Sequence, residues 1–358
     1  MKRFSKKKRI AFAILCGALV LLSLTCFLTV RHLSRILPPQ QAAERWQGEG
    51  ETAFNQVSCY LTVDEPITLN KIYAFRYTVL DKLREAGFEA DTDTRLFRDA
   101  WCVSGKENVS SDQGKGTASV LAVGGNFFDF HPIRLVSGSY LSEEDLMKDR
   151  VLLDEELAWL LFGSVDLQGM EMKIAGVPFV VAGVVEREQD FASTRAYTSG
   201  MGLYMSYDAY AQLHEDVGAT CYELVMAEPV DGYTLGFVQE KFPIGDGEIV
   251  ENSHRFSMGR LMSLLKSFGT RSMQTHGVIY PYWENAARSV EDWCTLSLLL
   301  GFCFAAIPVV TALVLLFLLL KRGKEKLSED LLPELKDKTE EAVRKQQRKR
   351  WEKKNKSE

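Results

Sequence analysis

Residues 296–320 read LSLLLGFCFAAIPVVTALVLLFLLL, a stretch in which no side chain is charged. Residues 10–30 read IAFAILCGALVLLSLTCFLTV and are also free of charge. An α-helix needs about 20 apolar residues to cross a hydrocarbon core of about 30 Å, and both stretches reach that length. Helices buried in soluble proteins are rarely apolar on every face for so long. The two stretches therefore predict two transmembrane helices.

The charges beside the two stretches predict their orientation. Six basic residues lie within residues 1–9, and four lie within residues 321–326. Because basic flanks tend to stay in the cytoplasm, both termini are expected there, with one large domain outside the cell (cytoplasmic) membrane. A cleaved signal peptide is the alternative for the first stretch. Its long apolar core and the poor cleavage site at residues 31–35 favour an uncleaved anchor.

The net charge of −5 is unevenly distributed along the chain. Residues 10–320 carry 23 basic and 39 acidic side chains, which gives them a net charge near −16. An acidic surface repels phosphate groups, so we expect neither nucleic acid nor anionic lipid headgroups as partners of the extracytoplasmic domain. Solubility is the simplest reason for such a charge.

The region between the two spans shows the same pattern at its two ends. Strand, helix and strand follow one another within residues 54–103, and again within residues 222–252. Two such halves commonly combine into one sheet with its helices on one face. The predicted fold class is α+β, a membrane-anchored ectodomain of two subdomains. A split βαβ, ferredoxin-like sheet carries an inserted β-rich module.

Short β patterns dominate the inserted stretch, including a hairpin expected to turn at Ala175 and Gly176. The predicted segments are, in chain order, a cytoplasmic basic N-terminus (1–9), transmembrane helix 1 (10–30), a lead-out (31–51), the first βαβ half (52–116), the inserted β-rich subdomain (117–215), the second βαβ half (216–254), a helical stalk (255–295), transmembrane helix 2 (296–320) and a charged cytoplasmic tail (321–358).

Four short motifs within residues 125–185 carry a family resemblance. They are GNFFD at 125–129, LVSGSYL at 135–141, VLLDEELA at 151–158 and VPFVVAGVV at 177–185. Their order and spacing resemble the MacB-like periplasmic core domain of MacB/FtsX-type ABC transporter permeases. The resemblance implies a permease that works by mechanotransmission with a separate ATPase. Turn glycines such as Gly125 and Gly138 and core aromatic residues also explain these motifs, so none receives a chemical role.

The resemblance also implies four transmembrane spans, whereas this sequence shows two. Nothing apolar follows Leu320, so the chain is expected to be a truncated, two-span variant. Either it pairs with a further permease subunit or a second copy, or it is a regulatory relative.

Motifs of catalysis and cofactor binding are missing from the sequence. It contains no Gly-rich Lys-Ser/Thr loop for ATP, so ATP-driven motion would need a separate ABC ATPase subunit. The residues His131, His214, His254 and His276 stand far apart and are expected on the surface. We therefore predict no enzyme, no catalytic residue, no cofactor and no metal site.

Small residues in the spans are candidates for helix packing. Ala13 and Gly17 are four residues apart, as are Gly301 and Ala305, a spacing that lets helices approach closely. Pro308 is a candidate hinge or a tolerated membrane proline. Outside the spans, Cys59, Cys102 and Cys221 allow one disulfide, and free thiols are equally compatible with the sequence. Whether Cys59 and Cys102 pair stays open.

Two functions remain from these observations. The first is a membrane subunit of an ABC-type export or mechanotransmission complex. The alternative is a membrane-anchored binding or sensing module that holds an extracytoplasmic peptide or protein without transport. Both assign the chain no nucleic acid partner.

Overall fold

The computed structural model describes residues 6–88, 96–197, 200–326 and 338–348. The predicted basic residues Lys2 and Arg3 lie outside these ranges, as do residues 327–337 and 349–358 of the predicted tail. The chain divides into two units, residues 28–298 and residues 1–27 with 299–358.

The described residues up to Lys326 form ten α-helices, ten strands and two short 3-10 turns. In chain order they are α1 (Lys6–Leu33), a 3-10 turn (Pro38–Gln41), α2 (Ala42–Gln47), β1 (Phe54–Tyr60), α3 (Leu69–Glu85), β2 (Phe97–Ser110), β3 (Lys115–Gly125), α4 (Phe127–Phe130), β4 (Arg134–Gly138), β5 (Arg150–Asp154), α5 (Glu155–Phe162), β6 (Glu171–Ile174), β7 (Val177–Glu186), α6 (Phe191–Ala196), β8 (Gly202–Ser206), α7 (Tyr207–Leu213), β9 (Cys221–Ala227), α8 (Tyr233–Lys241), β10 (Glu248–Glu251), α9 (Met258–Ser263), a second 3-10 turn (Leu264–Ser267) and α10 (Tyr282–Lys326).

The two βαβ halves form the predicted split sheet. Strand order is β10-β1-β9-β2, and each of these neighbours pairs antiparallel. Helix α3 buries Ile72, Phe75, Val79 and Leu83, which recur at helical spacing. These side chains share one hydrophobic core with Phe237 and Val238 of α8, so both helices cover the same face of the sheet. The ferredoxin-like arrangement is confirmed.

The β-rich part continues the same sheet. Strand β3 pairs with β2 and β8, and the order continues through β5 and β7 to β4. The short strand β6 pairs with both β2 and β7, so β2, β3, β8, β5, β7 and β6 close into a ring. Closing a sheet in this way covers strand edges that would otherwise invite pairing with other chains. The predicted boundary between residues 116 and 117 falls within β3.

Glycines stand where the chain must turn or approach its neighbours closely. Between β6 and β7, Ala175 (φ 49°) and Gly176 (φ 86°) form the expected hairpin turn. In β4, Gly138 has a φ of 82°, and a Cβ atom there would lie 2.1 Å from the Ala182 carbonyl oxygen. No other residue fits this position without a backbone shift.

The predicted stalk at 255–295 is helical over only part of its length. Helix α9 and the second 3-10 turn end at Ser267, and α10 begins at Tyr282. Gly269 and Gly277 between them have φ values of 70° and 71°, which interrupt a helix. The Pro281 carbonyl then accepts the first helical bonds, from the amides of Glu284 and Asn285.

Two helices of the structure are long and apolar enough to cross a membrane, α1 and α10. In the unit of residues 1–27 and 299–358, the Ser23 hydroxyl donates to the Gly301 carbonyl at 2.9 Å. The rings of Phe27 and Phe302 meet edge to face, with centroids 5.5 Å apart. Residues 338–348 are also helical.

Candidate functional site

The first three turns of α10 present charged side chains to the interior of the domain. Glu284, Arg288 and Glu291 follow one another at spacings of four and three residues, which puts them on one helix face. All three are buried, and Glu284 and Glu291 have no exposed surface. A buried charge is costly unless it is paired and hydrogen-bonded. The role of this helix face therefore depends on the side chains that pair with its charges.

Arg255, from the loop after β10, is the central partner. Its guanidinium is 1% exposed and donates to both carboxylate oxygens of Glu284, each at 2.7 Å. Its Nε donates to Glu291 Oε1 at 2.8 Å. Bidentate pairing between a guanidinium and a carboxylate fixes geometry as well as charge. Arg255 thus fastens two successive turns of α10 to the loop after the sheet.

Further bonds extend this contact to β1 and to the edge strand β10 of the sheet. Tyr60 of β1 donates to Glu284 Oε2 at 3.1 Å, and Arg288 donates to Glu248 of β10 at 2.9 Å. Arg271, from the segment between α9 and α10, pairs with Glu291. We call Glu248, Arg255, Arg271, Glu284, Arg288 and Glu291 the α10 charge network; its three guanidinium groups balance its three carboxylates.

Electrostatics keep Glu284 and Arg255 ionised in spite of their burial. Burial alone would raise the pKa of the Glu284 carboxyl, but the charges and hydrogen bonds of Arg255 and Arg288 outweigh it, so that this pKa is lowered. Burial would likewise lower the pKa of the Arg255 guanidinium, and the two glutamates of α10 raise it. Both groups therefore stay charged at neutral pH.

A second set of contacts joins α10 to the β-rich part. The Tyr282 hydroxyl donates to Glu188 Oε1 at 2.9 Å, and the Tyr197 hydroxyl bonds the other oxygen of the same carboxylate. The two tyrosine rings stack with centroids 4.2 Å apart. Because Glu188 follows β7, the first turn of α10 contacts the β-rich part as well as the split sheet.

His131 occupies a buried position that the sequence prediction missed. It was expected on the surface, but its side chain is fully buried and lies against Trp283 of α10, with ring centroids 4.3 Å apart. Its Nε2 is 2.5 Å from Glu223 Oε2. The apolar neighbours Phe127, Phe128, Phe130 and Ile133 were the available signal. His254 and His276 are exposed and His214 is partly exposed, as expected.

A cavity of about 230 Å³ lies between the β-rich part and the start of α10. Aromatic and basic side chains line much of it, including Lys106, Arg187, Tyr204, Tyr280 and Trp283. Within the described ranges, no group of three or more His, Cys, Asp or Glu side chains is placed to hold a metal ion.

The small residues predicted to pack helices lie in different environments. Ala13 and Gly17 are exposed, and a Cβ atom at Gly17 would meet nothing within 4 Å. Gly301 is buried, and a Cβ atom there would lie 3.3 Å from Cys26 Cβ and from Phe27 Cζ. Ala305 is half-buried, and α10 continues through Pro308. The packing and hinge roles of these residues stay predictions.

The sheet register separates the extracytoplasmic cysteines. Cys102 of β2 lies directly opposite Cys221 of β9, and both belong to the core on the face away from α3 and α8. Cys59 lies opposite Tyr222 and belongs to the core on the helix face. Cys59 and Cys102 therefore point to opposite faces and do not pair, and all three thiols are free.

Residues 64–240 match the family model of the MacB-like periplasmic core domain. Among solved structures, the extracellular domain of the noncanonic ABC-type transporter YknZ from Gram-positive bacteria is 12% identical, with a TM-score of 0.37; the likeness covers 52% of this chain and 92% of that one. The periplasmic region of MacB from Actinobacillus actinomycetemcomitans is 15% identical, with a TM-score of 0.37, over 56% of this chain and 89% of that one. No curated protein matches the sequence.

The family match and the two candidate spans define a membrane protein with an extracytoplasmic domain. Residues 64–240 form a MacB-like periplasmic core domain. The MacB-like domain and the two candidate spans support a component of a membrane transporter.

Proposed function

We propose that this chain is a membrane subunit of an ABC-type export or mechanotransmission complex, without an ATPase of its own. ATP hydrolysis by a separate ABC ATPase subunit moves the spans, and α10 carries that motion to the extracytoplasmic domain. Both termini lie in the cytoplasm of the cell, where the basic residues from Lys321 onward are available to the ATPase. A further permease subunit or a second copy completes the membrane part.

The α10 charge network is the observation that supports this proposal most directly. A helix transmits a displacement only when its end is fixed to what it moves. Here the first three turns of α10 are fixed by a bidentate Arg255–Glu284 pair and by further charged bonds. Breaking a buried pair of this kind costs about 3–5 kcal/mol, so the helix end resists separation from the domain.

The chemistry of the network also favours a mechanical role over catalysis. Its charges are balanced and paired, and its two α10 glutamates, Glu284 and Glu291, have no exposed surface with which to meet a substrate. Buried ion pairs often contribute little net stability compared with apolar residues of the same size. Their advantage is a fixed geometry, which suits a joint that must keep its orientation under load.

The first test is the composition of the complex. Full-length protein is purified in a gentle detergent, and the proteins that accompany it are identified by mass spectrometry. A nucleotide-binding ATPase in stoichiometric amount, together with a multi-span permease or a second copy, is the expected result. Recovery of the chain alone, or with extracytoplasmic proteins only, would contradict the proposal.

The second test addresses coupling within the co-purified complex. Ser297→Pro removes a backbone donor in α10 between the network and most of the span, whereas Ser34→Pro removes the donor to the Val30 carbonyl just after α1. ATP should change deuterium exchange in the extracytoplasmic domain of the wild type and of S34P, and should no longer change it in S297P. An unaltered response in S297P would contradict transmission through α10.

The alternative function is an anchored binding or sensing module for an extracytoplasmic peptide or protein. The cavity of about 230 Å³ beside α10 favours it, because aromatic and basic side chains can hold a peptide segment. An ATPase missing from the purified complex, together with a stoichiometric extracytoplasmic protein, would favour this alternative.

A further inference from the structure

Helix α9 and the 3-10 turn after it are amphipathic, and their apolar residues are divided between two faces. Leu261 and Leu264 are buried in the domain. Met258, Met262 and Leu265 follow one another at spacings of four and three residues and are exposed, and Phe268, just after the 3-10 turn, is 45% exposed. A group of exposed apolar side chains this close in sequence usually marks a contact surface.

Hydrogen bonds place this segment beside the start of the second span. The Thr295 hydroxyl donates to the Leu261 carbonyl at 3.2 Å, and Thr295 directly precedes the charge-free stretch. Trp293, two residues earlier, is also exposed. Cys294 Sγ lies 3.9 Å from the carbonyl oxygen of Val30, the last residue of the other charge-free stretch. The outer ends of both apolar stretches and α9 thus lie at one level.

The end of a transmembrane stretch marks the depth at which a bilayer passes from hydrocarbon to headgroups. Tryptophan and phenylalanine favour this layer, and amphipathic helices lie in it with their apolar face toward the acyl chains. We propose that the juxtamembrane surface, formed by Met258, Met262, Leu265, Phe268 and Trp293, lies in the interfacial layer of the outer leaflet. Its partner is the lipid bilayer, which would hold the domain at a fixed height above the membrane.

The contact is apolar rather than a recognition of anionic headgroups. The charge near −16 over residues 10–320 opposes binding to an anionic surface at long range. The basic side chains of Arg260 and Lys266 beside the surface allow close approach to zwitterionic headgroups. The surface lies beside Thr295, directly before the charge-free stretch of α10. This position next to a predicted span favours lipid over a protein partner as the occupant.

The test places a photoreactive benzoylphenylalanine at position 262 or 268 of the full-length protein. Both side chains are exposed, so the substitutions leave the core intact. The control is the same residue at position 159, because Trp159 is exposed on α5 beside the tip of the β2–β3 hairpin. The hairpin tip lies at the far end of β2, whereas the strand ends that lead to α9 lie near its start. These two regions are roughly 40 Å apart at about 3.3 Å per residue.

Each variant is reconstituted in phosphatidylcholine vesicles, irradiated and analysed by mass spectrometry for covalent lipid adducts. We expect several-fold more lipid adduct at positions 262 and 268 than at position 159. Equal yields at the three positions would overturn the proposal. Adducts with a second copy or another protein in place of lipid would also overturn it and would assign the surface to a protein interface.

Discussion

The two candidate spans join the extracytoplasmic domain in contrasting ways. After α1 ends at Leu33, the chain passes through Pro38 and Pro39, whose backbone carbonyls accept hydrogen bonds from the side chains of Arg45 and Gln56. The Gln56 side chain donates to the Pro39 carbonyl at 2.7 Å and accepts from the Ala42 amide at 2.9 Å. The α10 junction is an unbroken helix held by buried charges. The helix is thus broken at the first junction and continuous at the second.

Proline explains much of the difference. It lacks an amide donor and clashes with a preceding helical turn, so a helix cannot run straight through the pair at 38 and 39. Residues 34–37, between α1 and the 3-10 turn, accordingly form turns and a bend rather than a helix. Gln40 still accepts a hydrogen bond from Arg255 at 2.9 Å, which ties the lead-out to the α10 charge network at one point.

The largest effect is expected from Arg255→Met, which removes the central side chain of the α10 charge network. It leaves Glu284 and Glu291 buried without their central partner, and we expect a loss of about 3–5 kcal/mol in the free energy of unfolding. Chemical unfolding of the full-length protein in detergent measures it. Arg134→Met, which removes an exposed guanidinium paired with Glu186, is the control and should change stability little. Equal losses in the two variants would contradict the role of the network.

The same junction should give the domain an acid-sensitive step. Because the pKa of Glu284 is lowered in the folded state, its contribution is complete above its ordinary pKa of 4.5 and is lost as the pH falls through the lowered value. Unfolding measured from pH 7 downward should show this loss in the wild type. Glu284→Gln should have a smaller loss over the same interval, and an identical pH profile would contradict the assignment.

A smaller effect is expected at the junction after α1, where the chain passes through Pro38 and Pro39. Gln56→Ala leaves the Pro39 carbonyl and the Ala42 amide without their partner, which should cost about 1–3 kcal/mol. Thermal unfolding of the full-length protein checks it, with the Arg255→Met variant measured alongside. If the loss exceeded that of Arg255→Met, the Gln56 hydrogen bonds would stabilise the domain more than the α10 charge network does. The contrast between the two junctions would then be wrong.

The smallest effect is expected from Tyr282→Phe, which sharpens the comparison within α10. The change removes one hydrogen bond to Glu188 and keeps the stacking on Tyr197, so it should cost about 0.5–1.5 kcal/mol. Thermal unfolding provides the measurement. A loss as large as that of Arg255→Met would mean that α10 is held mainly by the β-rich part.

The sequence was sufficient for features that depend on local pattern. Charge-free length predicted the spans, and two strand–helix–strand patterns predicted the split sheet. Ala175 and Gly176 predicted a hairpin turn. In each case the signal lies within a few consecutive residues, where hydrophobic periodicity or turn chemistry acts directly.

The site itself depends on contacts between distant residues, which pattern does not reveal. Glu284, Arg288 and Glu291 have the spacing of ordinary ion pairs on an exposed helix. Their partner Arg255 stands 29 positions before Glu284, across glycines at which the predicted stalk breaks. His131 was likewise assigned to the surface because its partner Glu223 lies on β9, 92 positions away.

The β2–β3 hairpin gives the domain a lever. Beyond Cys102, the last residue that pairs with β9, strand β2 continues for eight residues to Ser110, which is about 26 Å at about 3.3 Å per residue. A tilt of about 10° at Cys102 would displace the hairpin tip by about 4 to 5 Å over that length. A small tilt of the split sheet would thus be enlarged at the tip, and the pairing of Val109 and Ser110 with β6 would pass it on to the β-rich part.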